Sequence, residues 1–160
     1  MIGLIALAAL AWLALIVLAP LLAVPLAAAA YLAGSLICHQ LPERSFHIGA
    51  VQLPVCARCL GIYAAVAVTA GMRWWGGPGS VSLTGLAPRS VIIAGAAPTL
   101  LTVACEWFGL WQPSNLVRAI AGAPLGAVVA FVVIDAVAKL HYEPCAPQRP
   151  IAPRPPPTPI

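Results

Sequence analysis

Residues 37–63 read ICHQLPERSFHIGAVQLPVCARCLGIY, and the reading of this stretch decides the fold. It holds three of the chain's five cysteines, two of its three histidines and three of its twelve charged residues. On either side the sequence is almost pure hydrocarbon. Soft metal ligands gathered in a polar segment between apolar runs describe a loop at a membrane surface, with helices leaving it in both directions.

Composition agrees. The 160 residues make one domain's worth of chain, 62% hydrophobic and only 8% charged, where a soluble domain carries about a quarter charged residues. So few charges cannot clothe a water-soluble surface, and the chain reads as an all-α integral membrane protein whose main partner is the lipid bilayer. The net charge of +4 comes from single Arg and Lys residues flanking apolar runs. That is a topology signal, not the clustered basic face that nucleic acid requires, so no nucleic-acid partner is expected.

About four transmembrane helices are expected, each long enough for the roughly 20 helical residues a bilayer core demands. The first runs from about 2 to 19. It lacks the positive n-region of a signal peptide and exceeds a typical h-region, so it is read as a retained span. Pro20 and Pro25 then break the run. Residues 26–40 form an Ala-rich segment that completes a kinked span to about 36, or lies re-entrant, interfacial or as a span of its own. Further spans are expected at 56–75, 90–111 and 115–138, with Trp74 and Trp75 at a membrane interface. Gly122 and Gly126 make a G-x-x-x-G pair that permits close helix approach, and a homo-oligomer is one expectation. Residues 1–140 thus form a polytopic membrane domain containing a Cys/His loop at 37–59. The Gly/Pro/Ser-rich stretch after Trp75 is a connector, and residues 141–160 form a proline-rich tail expected to be disordered. Arg73, Arg89, Lys139, Arg149 and Arg154 fall on one side, and Arg44, Arg58 and Arg118 on the other. The positive-inside rule then places both termini in the cytoplasm, with the Cys/His loop and the WQPSNLVR loop sharing the opposite face.

The chemistry concentrates in Cys38-His39 and Cys56-x-x-Cys59. A C-x-x-C pair entering a helix turns two thiolates toward one point, and a second pair some way along the chain completes a tetrahedral N/S shell. The segment between them alternates loosely about Gly49, as a short β-hairpin does, which would fold the two ends together. The ligands expected for zinc or another transition metal are Cys38, Cys56 and Cys59 with either His39 or His47, of which His39 is preferred. The same residues support a different chemistry. Cys56 and Cys59 lie at a helix N-terminus, where the macrodipole and Arg58 would lower a thiol pKa. A thiol–disulfide oxidoreductase using Cys56 and Cys59, with Cys38 as partner thiol, is therefore the alternative.

Other polar residues belong to the same face. Arg44, in LPERSF, is a candidate holder of an anionic headgroup or substrate. Glu106, inside an apolar run, is costly there and marks a functional site by default; Arg118 is its expected partner. Ser114 and Asn115 are candidates for the same mouth. Glu106 and the G-x-x-x-G span also motivate a small transporter or channel subunit, its substrate unassigned. Asp135 and Lys139 are spaced as an ordinary i,i+4 pair, and Cys105 reads as a small packed hydrophobe. No metalloprotease, serine-hydrolase, phosphate-loop or haem-attachment motif is present.

The pattern CHQLPERSF followed by G-x-x-Q-L-P-V-C-A-R-C-L-G-I-Y resembles a family of small prokaryotic membrane proteins described only as a domain of unknown function. The resemblance continues more weakly through EWFGLWQPSNLVRAIAGAPLG and covers roughly residues 30–130. It implies a membrane location and no activity. Cys38, His39, Gln40, Pro42, Arg44, Ser45, Phe46, Cys56, Ala57, Arg58, Cys59, Gly61, Ile62 and Tyr63 match the family's pattern. His47 does not, and Glu106 stands where the family is expected to carry aspartate.

Overall fold

A computed structural model describes residues 1–76 and 88–141. Residues 77–87 of the connector and 142–160 of the proline-rich tail, with Cys145, lie outside the described residues. Among the described residues there are five α-helices: α1 (Ile2–Leu18), α2 (Val24–Ser35), α3 (Ala57–Trp75), α4 (Pro88–Trp107) and α5 (Asn115–His141). A two-stranded antiparallel hairpin, β1 (His47–Ile48) and β2 (Val51–Gln52), sits between α2 and α3.

Among the described residues, three helical segments are long and apolar enough to cross a membrane: Ile2–Leu21, Arg89–Trp107 and Asn115–Leu140. The run expected to span at 56–75 forms α3, a helix less uniformly apolar than these three. The physical reason is its place in the bundle. α3 is an inner helix, flanked by α1 and α5, and it carries Arg58 and Arg73 along with many small residues. A helix covered by its neighbours has no need of a uniformly apolar surface.

The helices meet through small residues. Ala6 of α1, Ala70 of α3 and Ile134 of α5 form a buried cluster. Nearer the other end, a Cβ on Gly61 of α3 would overlap the Ala119 carbonyl of α5, and one on Gly122 or Gly126 of α5 would overlap the carbonyls of Arg58 or Ile62. The G-x-x-x-G pair is thus spent inside the chain, drawing α3 and α5 together backbone to backbone. α4 packs on α5 at Gly95, beside Val128 and Pro124, and Thr99 donates its hydroxyl to the Ala121 carbonyl at 2.7 Å.

The ambiguous segment after Pro20 resolves as two pieces. A single 3-10 turn, Ala19–Leu21, ends the first helix, and α2 follows as a separate helix. Its 12 residues extend only about 18 Å at 1.5 Å each, too short for a bilayer core of about 30 Å. α1 runs antiparallel to α3, with Gly3 beside Trp74 and Trp12 edge-on to Tyr63. Its C-terminus therefore arrives at the end of the bundle where α3 begins, and α2 stays there, with Gly34 against the Pro54 carbonyl.

α4 also ends earlier than the apolar run suggests, at Trp107 and not near Trp111. Gly109 takes φ +65°, and the Leu110 amide donates back to the Cys105 carbonyl at 2.9 Å. That is a Schellman stop, for which a residue without Cβ is best suited. It turns the chain toward Asn115, whose side chain bonds the Ser45 carbonyl of the Cys/His loop.

Candidate metal centre and its arginine cluster

The loop is built by two devices. The hairpin closes on Gly49-Ala50 with His47 opposite Gln52 and Ile48 opposite Val51. Gly49 has φ +61° and Ala50 has no positive φ, the pattern of a two-residue type II′ turn with glycine first. Beyond the hairpin, the Leu53 amide bonds the Phe46 carbonyl at 2.8 Å, and Leu53, Pro54 and Val55 are buried against the bundle. The second device is Gln40, whose φ of +50° is unusual for a residue with a Cβ. Its Nε2 donates to the Tyr31 and Pro54 carbonyls, both at 2.7 Å, and its own carbonyl accepts from Gln52 Nε2 at 3.2 Å. The Tyr31 hydroxyl donates to the Gln52 carbonyl. One side chain thereby ties the end of α2 to the segment entering α3, which fixes Cys38 against Cys56.

As a result the Sγ atoms of Cys38, Cys56 and Cys59 lie within 4.8 Å of one another. All three are free thiols, half-buried. The Cys56 amide donates to Cys38 Sγ at 3.2 Å, a bond that favours negative charge on that sulfur. Cys56 is the residue before α3. The neighbouring Cys59 thiol, with help from the Cys59 and Arg58 amides and the Cys38 thiol, outweighs burial and holds the Cys56 thiol at about 5. Arg58 acts here through its backbone. Its guanidinium, expected to face the thiols, is engaged by Glu106 and Thr102 at 2.8 and 3.3 Å.

The histidines divide. His39 is exposed and lines the same cavity as the sulfurs but stands outside the group drawn within 4.8 Å. His47 lies on β1, exposed and away from that group.

Glu106 is the centre of the second half of the site. Its carboxylate is only 2% exposed and meets three guanidinium groups: Arg58 at 2.8 Å and Arg118 at 3.1 Å on Oε1, and Arg44 at 3.4 Å on Oε2. Arg118 is the partner expected from sequence; Arg44 joins it from the Cys/His loop and Arg58 from the first turn of α3. Asn115 bridges the two loops, donating to the Ser45 carbonyl at 3.0 Å and accepting from Arg118 Nη1 at 3.0 Å. Ser45 is itself buried and donates to the Leu41 carbonyl at 2.9 Å. Ser114 has a different task from the one expected: it is exposed, and its Oγ accepts the Val117 amide at 3.4 Å as the N-cap of α5. A cavity of about 210 Å³ opens between the two halves, lined among others by Cys38, His39, Arg44, Cys56, Arg58 and Arg118.

The roles of Gln40, Gln52, Tyr31 and Thr102 emerge only in the folded chain. Gln40 carried a signal, since it belongs to the CHQ motif; the others are single polar residues whose partners lie far along the chain.

The fold and site define a small helical membrane protein with a cysteine cluster at one end of its bundle. Residues 38–132 match the family model described as "Predicted membrane protein (DUF2085)", and the chain belongs to this family. A relative from Methanocaldococcus jannaschii, "Uncharacterized protein MJ1492", is 32% identical over 113 residues, covering 71% of each chain. No solved structure matches.

Proposed function

We propose that this protein binds one transition-metal ion, zinc first, through the thiolates of Cys38, Cys56 and Cys59. The observation that carries this reading is the convergence of three sulfurs, from two segments 18 residues apart, within 4.8 Å. A tetrahedral zinc shell with bonds near 2.3 Å puts its sulfurs roughly 3.8 Å from one another, which the site meets with small side-chain adjustments. The amide bond to Cys38 Sγ orients and stabilises a thiolate, as outer-shell donors do. His39 is the protein candidate for the fourth position. With His39 bound the shell is closed and structural; with an exchangeable ligand there the ion acts as a Lewis acid.

In the same reading α3 is a fourth span alongside α1, α4 and α5. The bundle sits in a prokaryotic cytoplasmic membrane with both termini inside, by the positive-inside rule. The metal centre then faces the outer side.

The low Cys56 pKa, about 5, favours one second reading. A Cys56 thiolate would attack a partner's disulfide, and Cys59 would resolve the mixed disulfide, leaving the partner reduced and Cys56–Cys59 oxidised.

Elemental analysis of detergent-purified protein beside Cys59→Ser separates the two. One equivalent of zinc in the wild type and its loss in the variant are expected. Absence of stoichiometric metal in the wild type, with a reducible Cys56–Cys59 disulfide, would overturn the metal reading and leave the redox one.

A further inference from the structure

We propose that Arg44, Arg58 and Arg118 form a binding site for a phosphate-class oxyanion in the cavity beside the three sulfurs. This goes beyond the metal reading, because a different set of side chains carries it.

The first argument is charge. Three guanidinium groups converge on a single carboxylate, Glu106. Glu106 can neutralise one of them, and it is itself 2% exposed and absent from the cavity lining. Glu43, next to Arg44, is exposed and also absent from the lining. Filling the sulfur site does not remove the surplus: a divalent ion on three thiolates carries one negative charge, so one positive charge remains. Buried or half-buried charge that is uncompensated is costly, and a bound anion is the direct remedy.

The second argument is donor geometry. A guanidinium carries five N–H groups in a rigid fork. Arg118 spends Nε on Glu106 and Nη1 on Asn115. Arg58 spends Nη2 on Glu106 and Thr102. Arg44 reaches Glu106 only at 3.4 Å and is 38% exposed. Several N–H groups on three forks therefore remain for one ligand, and all three residues line the same cavity. A tetrahedral oxyanion, with acceptor oxygens on every side, matches three converging forks better than a planar carboxylate does. The space, about 210 Å³, accommodates such a group with ordered water, each molecule of which occupies about 30 Å³.

The third argument is rigidity. Arg58 and Arg118 stand in the first turns of α3 and α5, the two helices locked by the Gly61, Gly122 and Gly126 contacts. Both helix N-termini add partial positive charge at the same end. Arg44 stands on the loop and supplies the movable third contact.

Two sources offer this chemistry, free phosphate and the headgroup of an anionic lipid. Full-length protein in detergent is titrated with inorganic phosphate, followed by phosphorus NMR, in metal-stripped and zinc-loaded form. In parallel, protein in nanodiscs of phosphatidylglycerol or phosphatidylcholine is examined by native mass spectrometry for retained lipid. Saturable one-to-one binding of phosphate, or selective retention of phosphatidylglycerol, is expected, and the arm that responds names the source. Binding should weaken at least tenfold in Arg44→Gln, which leaves the two closer partners of Glu106 in place. In Arg118→Lys, which keeps the charge and loses the fork, it should also weaken. Binding in neither arm, or affinity unchanged in Arg44→Gln, would overturn the proposal. Phosphate binding confined to the zinc-loaded form would overturn it too, by placing the anion on the metal. Persistence in metal-stripped protein supports it whether or not the metal reading holds.

Discussion

Two acidic side chains in this protein make a 2.8 Å ion pair, and the surroundings of the two could hardly differ more. Asp135 meets Lys139 one helical turn along α5, with the carboxylate 41% and the amine 78% exposed. Glu106 meets Arg58 at the same distance but is 2% exposed, with Arg118 and Arg44 closing around it from two other elements. Distance therefore says little about worth. The exposed pair holds two side chains of one helix that is formed anyway, whereas the buried carboxylate holds together α4, the start of α3, the start of α5 and the Cys/His loop. It also keeps three guanidinium groups, which repel one another, within reach of a single cavity.

The largest effect should follow from breaking the buried member. Glu106→Ala leaves three cations facing each other without their counter-charge. Removing one partner of a buried ion pair typically costs about 3–5 kcal/mol. Thermal unfolding in detergent should show a fall in Tm of roughly 10 °C, since each kcal/mol shifts a domain of this size by about 2–4 °C. An unchanged Tm would mean that the network does not hold the site end together.

This comparison also marks what could be read from sequence. The C-x-x-C pair, the hairpin about Gly49 and the Glu106–Arg118 pairing were legible because each is local or spans one short loop. Arg44 and Arg58 were visible as charges, but not as partners of Glu106, which lies 48 residues from Arg58. Only the packing of α3 on α5 and of the hairpin on the bundle brings them together. Gln40 shows in the CHQ motif, but its task does not. Its value lies in a left-handed backbone turn and in carbonyls of Tyr31 and Pro54, which no side-chain pattern announces. For α3 the apolar run announces the helix but not its company: Arg58 and Arg73 belong to a helix packed between α1 and α5. Arg73 is buried there, its guanidinium 5.3 Å from the centre of the Phe131 ring.

The helix contact that holds Arg58 and Arg118 in register can be tested apart from their charges. Gly126→Leu forces a side chain against the Ile62 carbonyl of α3 and must spread the two helices. Overpacking of this kind costs typically 1–3 kcal/mol. The expected result is an intermediate loss of Tm accompanied by weaker zinc retention, because the α3 N-terminus that carries Cys56 and Cys59 moves away from Cys38. Gly71, where an added Cβ meets nothing within 4 Å, is the matched control, and Gly71→Ala should leave both readings near wild type. Equal losses in the two variants would show that the close approach of α3 and α5 does not position the sulfurs.

The smallest effect belongs to the exposed pair. Asp135→Asn removes a contact of the i,i+4 type, worth about 0.3–0.5 kcal/mol at most in isolated helices and less once solvent screens it. Its Tm should lie within about 2 °C of wild type by the same conversion, and added salt should not widen the gap. Zinc content should be unchanged, since Asp135 stands near Ile134, whose cluster with Ala6 and Ala70 lies at the opposite end of the bundle from the cysteines. A loss approaching that of Glu106→Ala would mean that Asp135 is shielded from water by lipid or by a second chain. The equality of the two 2.8 Å contacts would then reflect an equality of environment after all.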